Sequence, residues 1–257
     1  MLKNVYGFSV LVTAVLVYWL WRWFSAIEFT ATDGFIYDFL NEFGRPIILL
    51  LSSYTLFMTI QKTLLLLIER VTWIKKLFFN KEYVEGFWVG YVEEQTNPDE
   101  NYKPRFMIEE FEQTATDICV HGRGYDETGA LYVQWSSSNH PTFLKSRDLA
   151  FAYTDTFNGK NDEDIRRADG YSRYTLIRSR KGFFRTPIKL DGFIVNHTKV
   201  NHIHKMAVLK KIDNPPMLYR KKDKEKGEHD EASGLYGYLF SEAKKLYDSR
   251  HENFVDE

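Results

Sequence analysis

The chain has 257 residues, 34 Lys+Arg against 35 Asp+Glu, a net charge of −1, and one cysteine, Cys119. Near-neutrality excludes a general binder of polymeric nucleic acid, which needs a basic excess. One cysteine excludes an internal disulfide and a cysteine-based zinc cage. The charges are unevenly placed. Through Ile68 there are four basic residues (Lys3, Arg22, Arg45, Lys62) and four acidic ones (Glu28, Asp33, Asp38, Glu42), and the remainder holds 30 against 31.

Val5 to Trp21 is a run of seventeen residues without a charge, continued by Phe24 to Ile27. Pro46 to Ile68 is a second apolar run, interrupted by Gln61 and Lys62. About 20 apolar residues in a helix span a bilayer, so residues 1–79 are expected to hold a two-helix transmembrane hairpin and a short linker. The first run is too long for a signal-peptide core and no A-x-A site follows it, which predicts a retained anchor. Lys3 precedes the first span, and Arg70, Lys75, Lys76 and Lys81 follow the second, whereas the connection is acidic. This bias predicts both termini and the following domain on the cytoplasmic side. Ser52, Thr55, Thr59 and Lys62 fall within an arc of about 100° on the second helix. That arc serves either to pack the hairpin or to meet other copies of the chain.

Residues 80–213 are expected to form a β-barrel. Strand signals recur between Gly, Pro, Asn and Asp punctuation at Gly86–Glu94, Arg105–Glu112, Ala115–Gly124, Gly129–Ser137, Asp148–Phe157, Ser172–Arg180, Ile188–Asn196 and His202–Ile212. No helix long enough for parallel crossovers interrupts them. Eight strands with hairpin connections predict an antiparallel up-and-down barrel, which leaves no exposed edge; an open sandwich is the alternative. Asn158–Gly170 reads as a long polar loop, residues 214–234 as a charged linker, and residues 235–257 as a C-terminal amphipathic helix.

The chain has no nucleophile elbow, Walker loop, dinucleotide fingerprint or zincin helix, so no enzyme is predicted and no cofactor or metal. His202 and His204 share a strand face but lack a third ligand at metal spacing. Cys119 is expected as a buried small apolar residue. Basic and aromatic residues within the strands carry the remaining chemistry, because guanidinium grips phosphate and rings stack bases. Alternation places Tyr174, Leu176 and Arg178, and Leu149, Phe151 and Tyr153, on inward faces. The candidate ligand contacts are Arg105, Trp135, Tyr153, Tyr174, Arg178, Asn196 and His204.

Two N-terminal spans, a short basic linker and a barrel opening on Gly86-Phe87-Trp88-Val89-Gly90 resemble the two-transmembrane β-barrel effectors of bacterial anti-phage systems that signal through cyclic oligonucleotides, the CBASS type. The Gly-x-Trp start also resembles lipocalin-like barrels, whose Trp plugs one end. The resemblance covers residues 1–213 by architecture. It implies a barrel that binds a cyclic dinucleotide or related cyclic oligonucleotide, assembly into a homo-oligomer, and disruption of the bacterial inner membrane. A related arrangement has the opposite sign, with ligand holding the effector off. The alternative from another class is a membrane-anchored, lipocalin-like carrier of a lipid or small apolar ligand.

Overall fold

The computed structural model describes residues 2–25, 34, 44–94, 104–145, 147–157, 167–179, 184–197, 202–212 and 234–252. It divides into two compact units, Met1–Phe79 and Asn80–Glu257.

The first unit holds α1 (Leu2–Ser25), α2 (Arg45–Arg70) and α3 (Thr72–Phe79). Pro46 opens α2, where its missing N–H costs nothing. At 1.5 Å per residue α2 is long enough for the hydrocarbon layer of about 30 Å. Among the described residues Ile47–Arg70 is the one segment long and apolar enough to cross a membrane by length and composition. The pair of N-terminal spans is therefore reduced here to one. Toward the C-terminal end of α1, Tyr18, Trp19, Trp21, Arg22 and Trp23 dilute the apolar run. The acidic connection (Glu28, Asp33, Asp38, Glu42) lies outside the described residues.

Helices α1 and α2 pack through Ser9 and Thr13, both buried, and an edge-to-face pair of Tyr6 and Phe57 at 5.7 Å. Small residues at i and i+4 let the two backbones approach. The arc Ser52, Thr55, Thr59 and Lys62 is exposed, on the side of α2 turned away from α1. Packing within the hairpin is thus not its role. Thr55 and Thr59 hydroxyls donate to the carbonyls of Leu51 and Thr55, at 2.9 and 2.8 Å. Back-bonding of this kind satisfies the hydroxyl hydrogens without a neighbour.

The second unit is a closed antiparallel barrel of eight strands. They are β1 (Gly86–Glu94), β2 (Arg105–Gln113), β3 (Ile118–Tyr125), β4 (Leu131–Ser137), β6 (Asp148–Phe157), β7 (Arg167–Arg178), β8 (Pro187–His197) and β9 (His202–Ile212). Each pairs with the next, and β9 returns to β1. A short additional strand, β5 (Thr142–Leu144), takes over the edge of β6 where β4 ends.

Several strand boundaries depart from expectation. The third strand starts at Ile118, because Thr114 and Asp117 close a turn in which the Thr114 hydroxyl accepts from the Asp117 amide at 3.0 Å. The fourth starts at Leu131, because Asp126 Oδ1 accepts from the Thr128 and Ala130 amides and Gly129 adopts φ +88°. Strand β8 runs from Pro187 to His197, beyond both ends of the expected Ile188–Asn196. Strand β7 begins at Arg167, inside the expected loop rather than at Ser172. Gly170 is not a breaker there: a Cβ on it would come within 2.2 Å of the Tyr153 ring, so the strand needs glycine to let that ring lie flat. The rest of that loop and the charged linker lie outside the described residues.

One end of the barrel is plugged. The Trp88 indole donates to the Val84 carbonyl at 2.7 Å, and Gln113 clamps the same segment, accepting from Val84 N and donating to Glu82 O at 3.0 Å each. The Lys211 ammonium lies 4.3 Å from the Tyr83 ring centre. A C-terminal helix, α4 (Leu235–Glu252), covers the outer face of β1 and β2. Leu235, Leu239 and Ala243 bury against Phe87, Val89, Tyr91, Phe106 and Ile108. Each fully buried leucine contributes about 2 kcal/mol. Arg250 adds a 2.7 Å hydrogen bond to the Tyr91 hydroxyl.

Candidate ligand sites inside and outside the barrel

Strand alternation sends every second residue inward. Along one register line the inward positions are Trp88, Glu109, Gly122, Trp135 and Asp155, on β1, β2, β3, β4 and β6. Gly122 has a mechanical reason: a Cβ there would lie 1.8 Å from the Trp135 ring. The indole lies across the glycine, and its N–H donates to Glu109 Oε1 at 3.3 Å. From the far wall the Tyr174 hydroxyl donates to the same oxygen at 2.8 Å.

Glu109 is completely buried, and its other oxygen, Oε2, has no hydrogen-bond partner among the described residues. Burial raises its carboxyl from 4.5 to about 7, opposed by the hydrogen bonds from Tyr174 and Trp135. Asp155 is also buried, at 3 % exposure. Burial, followed by the nearby Asp155 and Glu109 charges, pushes the Tyr153 phenol well above its usual range. The Tyr153 hydroxyl reaches the Val195 carbonyl at 3.5 Å. Below this polar centre the interior is aromatic, with Phe151 5.9 Å from Tyr174 and 6.4 Å from Phe111.

Three candidate contacts therefore meet inside the barrel: Trp135, Tyr153 and Tyr174. Trp135 and Tyr174 share Glu109 as their hydrogen-bond acceptor, a residue that sequence reasoning did not single out. Arg178 does not join them. The β7–β8 register shifts between Ile177 and Arg178, and the guanidinium turns to the plugged end, donating to the Lys81 carbonyl at 3.3 Å. Partial burial holds its pKa down; Glu82 opposes this and Arg147 adds to it. Arg105 is exposed and stacks on the Tyr132 ring at 4.9 Å. Asn196 and His204 occupy positions opposite Gly170 and Val195; their side chains lie outside the described residues. Cys119 is exposed rather than buried, because its neighbours Ile118 and Val120 take the inward positions. Arg173 and Lys189 are bound in surface ion pairs with Asp148 and Asp191.

The outward positions of the same strands form a second arrangement. His121, Ser136 and Thr154 stand side by side on β3, β4 and β6, and Arg123, Gln134 and Thr156 form the parallel row. These rows floor a groove of about 480 Å³, walled by Tyr236 from the first turn of α4. Arg123 lies 4.0 Å over the Tyr236 ring. No protein-family model matches the chain, and no curated protein matches it.

Proposed function

We propose that the chain is a membrane-anchored, non-enzymatic effector whose barrel domain binds a cyclic dinucleotide or related cyclic oligonucleotide, and that the ligand controls assembly of its membrane helices. In this reading α2 anchors the chain in a bacterial inner membrane, with α1 packed against it and the barrel in the cytoplasm. The observation that carries it is the direction of the polar arc on α2. Ser52, Thr55, Thr59 and Lys62 are exposed on an apolar helix, away from the packing contact with α1. Small hydroxyl side chains whose hydrogens are already back-bonded let a second helix approach closely, and a lysine within a span is costly unless a partner or water meets it. Repeated copies of α2 would supply both. A lipid carrier would need an apolar interior, and Glu109 and Asp155 are buried there instead.

The test is calorimetry of the full chain in nanodiscs against a panel of cyclic dinucleotides, together with dye release from liposomes carrying the protein. Binding of one member, with dye release that changes in either direction on its addition, is the expected result. Binding by no member would defeat the sensor role. Ser52→Leu combined with Thr59→Leu should abolish the ligand-dependent change in release while leaving calorimetric affinity intact.

A further inference from the structure

The groove on the outer wall of the barrel has the size and chemistry of a ligand site, and the buried centre has not. Glu109 and Asp155 give the interior an acidic polar centre with aromatic rings packed round it. A phosphate brought there would meet a carboxylate in a low-dielectric setting, which is repulsive. The outer groove, at about 480 Å³, falls within the range of small-molecule sites, roughly 300–1,000 Å³.

Its floor is ordered by the register. Ser136 pairs with His121 on one side and Thr154 on the other, and Gln134 pairs with Arg123 and Thr156. The two rows lie about 7 Å apart along the strands, and neighbours within a row about 5 Å apart. The floor therefore presents a guanidinium and an imidazole along one edge, then an amide and three hydroxyls. The Tyr236 ring, stacked on Arg123 at 4.0 Å, forms the wall. Glu110, beside His121 on β2, supplies a carboxylate on the same edge as the two basic groups.

Each group has a matching partner on one class of molecule. A guanidinium takes phosphate through a two-pronged hydrogen bond, and held on an aromatic ring it is oriented before the ligand arrives. Hydroxyls and an amide satisfy ribose hydroxyls and further phosphate oxygens. A carboxylate accepts from a ribose hydroxyl or from the N–H edge of a base. We propose that this groove, completed by the C-terminal helix, binds a cyclic dinucleotide through its phosphates at Arg123 and His121. The proposal rests on the effector reading above and names the site for it. It also gives α4 a role, since the ligand would touch both the barrel wall and Tyr236 and so strengthen the docking of the helix.

The experiment is calorimetry of the full chain in nanodiscs with the panel of cyclic dinucleotides and with ATP as a non-cyclic probe. Arg123→Ala should weaken binding of the best cyclic dinucleotide about tenfold or more, the loss of one charge-assisted contact. Ser136→Trp should do the same by filling the groove without removing a charge. Circular dichroism of each variant checks that the barrel is intact. Tyr174→Phe, which alters the interior alone, should leave affinity unchanged. Binding unaffected by both groove variants, or lost only in Tyr174→Phe, overturns the groove as the site while the effector reading stands. ATP binding that Arg123→Ala weakens, with no cyclic dinucleotide bound, overturns that reading and keeps a phosphate site in the groove. No binding of either probe overturns both.

Discussion

Strands β2, β3, β4 and β6 have two faces built from alternate residues, and the two faces do opposite things. On the inner face Glu109 and Asp155 are buried and Trp135 is half-buried, with Tyr174 from the far wall closing on Glu109. On the outer face His121, Arg123, Gln134, Ser136 and Thr154 line an open groove. One residue of shift separates an acidic, closed, aromatic interior from a basic, hydroxylated surface. The inner face is held by close packing and a buried hydrogen-bond network, so a change there acts on stability. The outer face is solvated, so a change there should act on binding and barely on stability.

The largest effect expected from this contrast comes from Gly122→Leu. Even a methyl group at this position lands 1.8 Å from the Trp135 ring. Leucine must expel the indole, break its hydrogen bond to Glu109 and overpack the wall, at a cost of about 3 kcal/mol or more. Urea unfolding of the full chain in detergent, followed by near-UV circular dichroism, should show the barrel transition moved to much lower denaturant. An unchanged midpoint would mean that Trp135 does not lie across this strand.

Glu109 gives the next largest effect and a pH signature. Its carboxyl is raised from 4.5 to about 7 by burial. The native protein therefore holds a proton over a range in which the unfolded chain has lost it. The stability this gives is complete below about pH 4.5 and disappears as pH rises through about 7. Fully expressed, the difference is about 3 kcal/mol. Glu109→Gln cannot ionise, so its stability should be flatter between pH 5 and 8 than that of the parent, a comparison read from urea midpoints at each pH. Equal slopes would show that Glu109 does not titrate there. The absolute stability of the variant is a poorer readout, since the glutamine amide must itself find an acceptor where Oε2 has none.

Much of the barrel was legible because period-two alternation and turn residues are local signals. Gly86–Glu94, Asp148–Phe157 and His202–Ile212 match the expected strands in full. Where a boundary failed, a glycine or a threonine carried two meanings. Gly170 resembles a breaker in one dimension, but across the sheet it makes room for Tyr153. The interior network was legible only in part. Tyr174, Tyr153 and Trp135 stood out as aromatic residues within strands, whereas Glu109 sits in Met107-Ile108-Glu109-Glu110-Phe111, where both alternating rows contain a glutamate and apolar residues. Helix α4 buries the outward row as well, through Phe106 and Ile108. With both faces covered, local pattern does not say which glutamate is inside. The outer groove was harder still, because it joins residues of four strands to Tyr236, about 80 positions away along the chain from Thr154 and Thr156 on β6 — hence no spacing rule reaches it.

The smallest expected effect tests the outer face. Arg123→Ala removes the stack on Tyr236 at 4.0 Å. Cation–π contacts near the surface contribute about 0.5–1 kcal/mol, so the barrel midpoint should move by no more than that. Leu235, Leu239 and Ala243 continue to hold α4 on β1 and β2. Amide exchange locates what does change: protection should fall in the first turn of α4, around Tyr236, and stay as it was near Arg250, where the Tyr91 hydrogen bond anchors the other end. A loss of several kcal/mol would instead make Arg123 a structural support of the wall. The outer face would then obey the same rule as the inner one, and the division between a face for folding and a face for binding would fail.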